Sequence, residues 1–178
     1  MKDGYRKFVR QGRCLGHSAP VVHLDWSSDG VHLQSNSADN EVMVWSVATG
    51  RPVRDIDAMR DLVWATSDCT VQWSALGLWG ETVDSADPST ASMTQSRDLL
   101  GAGDTWGRVK LYSNPACQPR SLCHTYTGHS NQVRTSSPFA FITLTPLSQV
   151  CGLSWTVDST KMLSVGGKDT AVLQWSLQ

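Results

Sequence analysis

The chain has 178 residues, a formal net charge of −1 and a charged fraction of 17%, against about 25% in an average globular protein. This near-neutral balance argues against nucleic acid as a main partner, because nucleic-acid-binding proteins present an excess of Lys and Arg. No run of about 18 apolar residues is present, so we expect no membrane-spanning helix. Residues 1–13 also lack the apolar stretch of a signal peptide.

The eight tryptophans outnumber the three tyrosines and three phenylalanines combined. A sequence rich in Trp, Gly and Ser with many short apolar runs predicts an all-β repeat protein in which one Trp recurs per unit. The five cysteines are widely spaced and include neither a Cys-x-x-Cys pair nor Cys/His pairing at zinc spacing. We therefore expect reduced cysteines in an intracellular chain, no metal site and no cofactor.

Residues 1–15 are basic and carry five cationic side chains. These are Lys2, Arg6, Lys7, Arg10 and Arg13. The segment predicts either the outer strand of a preceding unit or a basic patch for an acidic partner. The outer strand is favoured because such strands are commonly polar and partly exposed.

Residues 16–56 form the most regular unit, which opens with Gly16-His17 and has a tight turn at Asp39-Asn40. Its predicted strands lie over 21–26, 31–35 and 41–45, with an outer strand over 53–56. This arrangement resembles one blade of a WD40 β-propeller, a twisted antiparallel sheet of four short strands. Such a sheet cannot bury both faces alone and stacks on its neighbours.

Four residues at WD40 spacing predict a buried polar network in this unit, namely His17, Ser37, Asp39 and Trp45. The Asp is expected to accept from the imidazole, and the Ser hydroxyl to join the imidazole to the indole N–H. Such a network stabilises only when every member is satisfied. The same Ser, His and Asp also fit a hydrolase triad. However, no G-x-S-x-G turn surrounds Ser37 and the Trp completes the set, so the structural interpretation is favoured and no catalytic residue is assigned.

Residues 57–113 predict a divergent second blade. Its predicted elements are strands over 62–65 and 70–79, a polar loop over 81–97, and strands over 99–104 and 107–112. Asp104 is expected in the turn, and Tyr112 takes the place where Trp is usual. No Gly-His opens this unit, so its polar network is expected to be incomplete.

Residues 114–178 predict a third blade, with a connector and outer strand before Gly128-His129 restarts the pattern. Asp169 precedes Trp175 by six residues, which is also the spacing of Asp39 and Trp45 in the first blade. Gly167 occupies the expected Ser position, which predicts a network of His129, Asp169 and Trp175 that lacks one member.

The third blade contains an apparent insertion at 134–150. Removing this segment leaves GHSNQV-CGLSW, which overlays GHSAPVVHLDW of the first blade position by position. The segment is apolar, so it is either a binding loop or a sequence foreign to the fold. The second interpretation is favoured, because an exposed apolar segment of high β-propensity is an aggregation liability and here interrupts a strand.

Five segments together resemble the C-terminal propeller of the echinoderm microtubule-associated protein-like family. They are HLDW at 23–26, SNS at 35–37, WATSDC at 64–69, GDTWGRVKLY at 103–112 and GGKDTAVLQW at 166–175. The resemblance implies an all-β fold, a partial WD40 β-propeller of about three four-stranded antiparallel blades. A complete seven-bladed propeller would need about 280 to 300 residues.

The resemblance implies a non-enzymatic interaction module that binds tubulin, microtubules or spindle partners, located in the cytoplasm and on the cytoskeleton. It implies no cofactor, nucleic acid or membrane partner, and it places the family's microtubule affinity partly in an N-terminal coiled coil. Arg51, Arg54, Arg108 and Lys110 are candidate contacts because the tails of tubulin are acidic. The alternatives are an incomplete propeller without independent activity and, less favoured, a serine hydrolase using Ser37, His17 and Asp39.

Overall fold

The computed structural model describes residues 9–55, 60–79, 86–118, 121–129 and 149–178. Within these ranges the strands form three antiparallel sheets in which each strand pairs with the next along the chain. The first sheet contains β1 (Val21–Trp26), β2 (His32–Ser37) and β3 (Val42–Ser46). The second contains β4 (Pro88–Met93), β5 (Leu99–Asp104), β6 (Arg108–Ser113) and β7 (Cys123–Thr127). The third contains β8 (Val150–Trp155), β9 (Lys161–Gly166) and β10 (Val172–Ser176).

The predicted all-β, partial-propeller fold is confirmed by these sheets of three, four and three strands. β1 has its predicted bounds, and β2 and β3 lie within two residues of theirs. In all three sheets the turn before the third strand contains a residue of left-handed conformation. It lies five positions before the aromatic residue of that strand, which is Trp45, Tyr112 or Trp175. These residues are Asn40 (φ 64°), Gly107 (φ 78°) and Thr170 (φ 54°).

The predicted outer strands at the start of the chain are not found in the described residues. Residues 9–15 form no strand and are exposed, so the strand predicted over 1–15 is wrong there, and residues 1–8 lie outside the described ranges. Beside β3, residues 51–53 form only a bridge, with the Val53 amide donating to the Val44 carbonyl at 2.8 Å. The predicted strand over 53–56 is therefore absent through residue 55, and residue 56 is outside the described ranges.

Three predictions for the second unit are wrong. The strand predicted over 70–79 is instead a 3-10 helix, Trp73–Trp79. Packing overrides its β-propensity, because Ala75 and Leu78 are buried against the second sheet and the Gly77 amide donates to the Ala116 carbonyl at 2.6 Å. Of the loop predicted over 81–97, residues 81–85 lie outside the described ranges, and the described part contains β4, which pairs with β5. At 62–65 there is a single bridge, between Trp64 and Ser27.

The sheet boundary also differs from the predicted unit boundary between residues 113 and 114. β7 pairs with β6 along its full length, so the second sheet continues to Thr127. The segment immediately before Gly128-His129 supplies the outer strand of the second sheet rather than part of the third. Of the predicted insertion at 134–150, residues 134–148 lie outside the described ranges, and Val150 is the first residue of β8.

The second and third sheets are packed face to face through glycines. A Cβ built at Gly103 would lie 2.5 Å from the Cβ of Val150, so only glycine permits this approach. Val150 is fully buried and forms one core cluster with Val109 and Met162. The Trp155 indole N–H adds a polar tie by donating to the Ser92 carbonyl at 3.1 Å.

Asp25 ties the first sheet to the segment that follows it. Its carboxylate is inaccessible to solvent and accepts the Thr66 hydroxyl at 2.6 Å and the amides of Asp68 and Cys69 at 2.8 and 2.9 Å. Gln34 also donates to this carboxylate, at 3.0 Å. Burial alone would raise the pKa of Asp25, but the hydrogen bonds from the other segment outweigh it and hold the pKa below its ordinary value.

Replacing Asp25 with Ala is expected to lower the free energy of unfolding by about 3 kcal/mol, because buried donors lose a charged acceptor. Urea unfolding of the purified chain measures this. Asp61→Ala is the control, since that side chain is 82% exposed and should change stability by less than about 0.5 kcal/mol.

The same carboxylate predicts a pH dependence. Because its folded-state pKa is depressed, its contribution is present above the unfolded value and is lost as the pH falls through the folded pKa. The stability difference between the wild type and Asp25→Asn should therefore shrink in acid. A difference that is constant across this range would contradict the ionised, hydrogen-bonded state of Asp25.

Candidate functional site

A hydrogen-bonded chain of four side chains crosses the first sheet. β2 and β3 pair with Leu33 opposite Trp45, which makes Ser35 the diagonal neighbour of the indole. The Trp45 indole N–H donates to the Ser35 hydroxyl at 2.8 Å, which leaves that hydroxyl's proton to donate to Nε2 of His17 at 2.6 Å. Nδ1 of His17 then donates to the Glu41 carboxylate at 3.0 Å.

The network therefore passes through Ser35 and Glu41, which corrects its assignment to Ser37 and Asp39. The Ser37 hydroxyl donates to Asp39, and Asp39 also accepts from Ser18 at 3.0 Å. Strand side chains alternate, so residues 35 and 37 lie on the same face and the pattern alone cannot choose between them. The register decides between them. Ser35 is two residues from Leu33, which lies opposite Trp45, whereas Ser37 is four residues from Leu33 and is too far from the indole.

The third sheet contains the same chain with an aspartate at its end. The structure brings His129, Asp169 and Trp175 together, and Ser164 supplies the hydroxyl that the sequence placed at Gly167. The indole N–H and the imidazole Nε2 both lie 2.8 Å from this hydroxyl, and Nδ1 of His129 lies 2.7 Å from the Asp169 carboxylate. Counting back from the turn misplaced the Ser by three residues. Two of these arise because Ser37 was taken as the reference instead of Ser35, and one because this turn is one residue longer than the first.

Gly166 explains why the acid differs between the two networks. A Cβ built at Gly166 would collide with the Asp169 carboxylate and lie 2.6 Å from Nδ1 of His129. The register places Ser37 at the corresponding position of the first sheet, opposite Val21, as Gly166 lies opposite Val150. The Ser37 side chain occupies that space, so Asp39 is displaced and Glu41 reaches the imidazole instead.

The second sheet has no hydroxyl at the corresponding position, which is Ala102, diagonal to Tyr112. An apolar cluster of Ala75, Leu78, Leu100 and Tyr112 fills this face, and burial raises the pKa of Tyr112. Asp104 ends β5 and accepts from Nε of Arg108 at 2.7 Å, while Nζ of Lys110 lies 3.4 Å from the same oxygen.

These ion pairs make Arg108 and Lys110, two of the four predicted contacts, less available to an acidic partner. The side chains of Arg108 and Lys110 are only 21% and 10% exposed and are held by Asp104. Arg51 and Arg54 are exposed. The backbone of Arg13 lies against the turn that precedes Arg51, because its carbonyl oxygen would be 3.0 Å from a Cβ at Gly50.

Between β3 and the 3-10 helix lies an apolar groove of about 260 Å³. Its walls include Val42, Val44, Pro52, Val53, Trp64 and Trp73. Trp73 is 45% exposed. Pro52 and Val53 lie between the exposed Arg51 and Arg54 in the chain, and the exposed Asp55 follows. We call the groove and these two arginines the basic groove.

Other kinds of site are not seen in the part of the chain that the structure describes. It contains no group of three His, Cys, Asp or Glu residues that could hold a metal ion. No helix in this part of the chain is long and apolar enough to cross a membrane. All five cysteines are described, and none forms a disulfide.

The corrected network predicts unequal costs for two serines on one strand. Ser35→Ala should lower the free energy of unfolding by about 1–3 kcal/mol, because it leaves the buried Trp45 and His17 nitrogens without partners. Ser37→Ala should cost less than about 1 kcal/mol, since Asp39 keeps Ser18 and solvent as partners. Chemical denaturation monitored by Trp fluorescence compares the two, and a larger loss for Ser37→Ala would contradict the assignment.

Comparison with known proteins shows relatives along nearly the whole chain. Echinoderm microtubule-associated protein-like 2 from Homo sapiens is 37% identical over 173 residues, which cover 97% of this chain and 24% of that protein. The 77 kDa echinoderm microtubule-associated protein of Lytechinus variegatus is 33% identical over 177 residues, covering 99% of this chain and 24% of that protein. The chain thus spans about a quarter of the length of these relatives.

Among solved structures, the RRP9 WD40 repeats match with a TM-score of 0.44 and 17% sequence identity, over 92% of this chain and 37% of that one. This likeness is too distant to support a conclusion. The family model described as the echinoderm microtubule-associated protein second beta-propeller matches residues 2–140. The chain therefore belongs to the echinoderm microtubule-associated protein family and carries part of its second β-propeller.

Proposed function

We propose that the chain is a non-enzymatic interaction module that binds microtubules through the basic groove. The single observation that carries this proposal is that the exposed Arg51 and Arg54 flank, in the chain, the Pro52 and Val53 that line an apolar groove. Support comes also from the names of its relatives, which describe microtubule-associated proteins.

The groove suits an acidic peptide that also carries apolar residues. Two exposed guanidinium groups attract carboxylates over roughly 10 Å at moderate salt. The walls formed by Pro52, Val53 and Trp73 offer apolar area, and a partly exposed Trp is a typical anchor of protein interfaces. The acidic tails of tubulin have the charge that these guanidinium groups would attract.

A binding role also agrees with the structural role of the polar residues that could otherwise form a hydrolase triad. Ser37, His17 and Asp39 do not assemble as a triad, because the His17 ring bonds Ser35 and Glu41 instead. The Ser35 hydroxyl is buried and already holds the Trp45 indole. A nucleophile must reach its substrate, so this hydroxyl serves the fold rather than chemistry.

The location proposed for this module is the cytoplasm, on microtubules and the spindle. The proposed partners are tubulin and other spindle proteins, without a cofactor, nucleic acid or membrane. A competing proposal is an incomplete propeller with no independent activity. It is favoured by the apolar side chains that the first and third sheets leave exposed, including Leu24, Trp26 and Val172.

Co-sedimentation with polymerised tubulin tests the proposal. The double variant Arg51→Glu/Arg54→Glu should bind at least about tenfold more weakly than the wild type, because two attractive contacts become repulsive. Lys161→Glu/Lys168→Glu is the charge-matched control, since both lysines are exposed on the third sheet and do not line the groove, so their reversal should leave binding unchanged. Removal of the acidic tubulin tails should weaken microtubule binding by the wild type. On such microtubules the double variant should bind about as weakly as the wild type.

Each outcome separates the two proposals. Equal loss in both variants would mean that only net charge matters and would overturn the assignment to the basic groove. A wild-type chain that stays in the supernatant, while remaining soluble and folded by circular dichroism, would support the module without independent activity. A variant lacking Arg134 to Val150 shows in the same assay whether the insertion contributes.

A further inference from the structure

The first hairpin turn of each sheet has the same construction. These turns lie between β1 and β2, between β4 and β5, and between β8 and β9. Each begins with a hydroxyl residue whose side chain accepts the amide of the residue five positions later. The pairs are Ser27 with His32 at 2.8 Å, Thr94 with Leu99 at 3.1 Å, and Thr156 with Lys161 at 3.1 Å. The three turns can therefore be compared position by position.

One position of these turns has a left-handed backbone in all three sheets. It is the third residue after the hydroxyl residue, namely Gly30 (φ 71°), Arg97 (φ 62°) and Ser159 (φ 56°). Glycine adopts this conformation readily, whereas a Cβ makes it unfavourable. The second and third sheets therefore retain a side chain against the preference of the turn. Such strain persists only where other contacts fix the backbone, and the Asn114 side-chain amide does so by donating to the Arg97 carbonyl at 2.7 Å.

The strained residues Arg97 and Ser159 each contact the unit that precedes their own sheet. Nη2 of Arg97 donates to the Trp64 carbonyl at 2.7 Å, and Trp64 forms a bridge with Ser27 in the turn of the first sheet. The Ser159 hydroxyl accepts the amide of Gln95, in the turn of the second sheet, at 3.1 Å. We call the Arg97–Trp64 and Ser159–Gln95 hydrogen bonds the rim tethers.

The segment that contains Trp64 is itself fixed to the first sheet. The Ser28 amide donates to the Val63 carbonyl at 2.7 Å. The Ala65 amide donates to the Trp26 carbonyl, also at 2.7 Å. Together with the rim tethers, these bonds form a hydrogen-bonded path that passes from the first sheet to the second and on to the third.

We propose that Arg97 and Ser159 are positioning residues, each kept in a strained turn because it ties its own sheet to the unit before it. The apolar contacts between sheets are non-directional, whereas a hydrogen bond requires a defined geometry. The rim tethers therefore restrict the angle between neighbouring sheets at the turn ends of the strands. Trp64 also lines the basic groove, so the first tether fixes one wall of that groove relative to the second sheet.

Hydrogen exchange of the full chain, followed by NMR, tests each tether separately. The Ser28 and Ala65 amides report on the first tether, and the Trp155 indole N–H, which donates to the Ser92 carbonyl, reports on the second. Arg97→Gly removes the first tether and relieves the strain of its turn. Exchange at Ser28 and Ala65 should become at least about fivefold faster, because residues 63–65 lose their contact with the second sheet and open more often. Exchange at Trp155 should stay unchanged.

Ser159→Gly should give the opposite pattern, with faster exchange at the Trp155 indole and no change at the two reporters of the first tether. Arg97→Lys keeps a cationic donor and the same backbone strain, so it should exchange like the wild type. Asn40→Gly is the matched control, since Asn40 is exposed, has a φ of 64° and lies in the turn at the opposite end of β2. This variant should change none of the reporters.

Two results would overturn the proposal, provided that circular dichroism shows every variant to be folded. Unchanged or slower exchange at the reporters of the tether that a glycine removes would mean that the turn residue carries strain without joining the sheets. Equal acceleration at both sets of reporters in Arg97→Gly and Ser159→Gly would mean that these variants destabilise the whole chain rather than one contact.

Discussion

The hydrogen-bonded chain from indole to hydroxyl to imidazole organises the first and third sheets. It joins the Gly-His entry of the chain to the second and third strands, so one interaction fixes how three segments meet. Ser35 and Ser164 are its central members, since each hydroxyl is nearly or wholly buried and contacts both rings. A buried hydroxyl in this position is stable only because both of its partners are present. The acid at the end of the hydrogen-bonded network differs between the sheets, being Glu41 in the first and Asp169 in the third. Asp169 can reach the imidazole because residue 166 is glycine, whereas the side chain of Ser37 occupies the equivalent space in the first sheet.

The second sheet shows what replaces the network when it is absent. Ala102 has no hydroxyl, and the face is filled by Leu100, Tyr112 and the 3-10 helix instead. Asp104 then neutralises Arg108 and Lys110 within the sheet, which removes both cations from the surface available to a partner. The site proposed for microtubule binding consequently lies at the first sheet, where the arginines are not held in this way.

Local sequence patterns predicted most of the strands and the residue types of the hydrogen-bonded network. Tertiary contacts determined the 3-10 helix, the choice of serine and the groove. The Gly-His openings, the six-residue spacing of Asp and Trp, and the resemblance to the family were sufficient for the all-β propeller. They were insufficient for the 3-10 helix at 73–79, because its apolar residues suit a strand equally well until Ala75 and Leu78 meet the second sheet. The choice of Ser35 over Ser37 required the register between β2 and β3, because the separation of Ser and Trp is not constant but is 10 residues in the first network and 11 in the third. The basic groove depends on side chains from residues 42–76 and has no local pattern.

A double-mutant cycle on the first sheet tests the central claim most directly. Trp45→Phe keeps an aromatic ring and removes the indole N–H, and it is combined in turn with Ser35→Ala and with Ser37→Ala. The structure predicts a coupling free energy of about 1 kcal/mol for the pair with Ser35 and about zero for the pair with Ser37. Coupling to Ser37 and none to Ser35 would contradict the network on which this description of the fold depends.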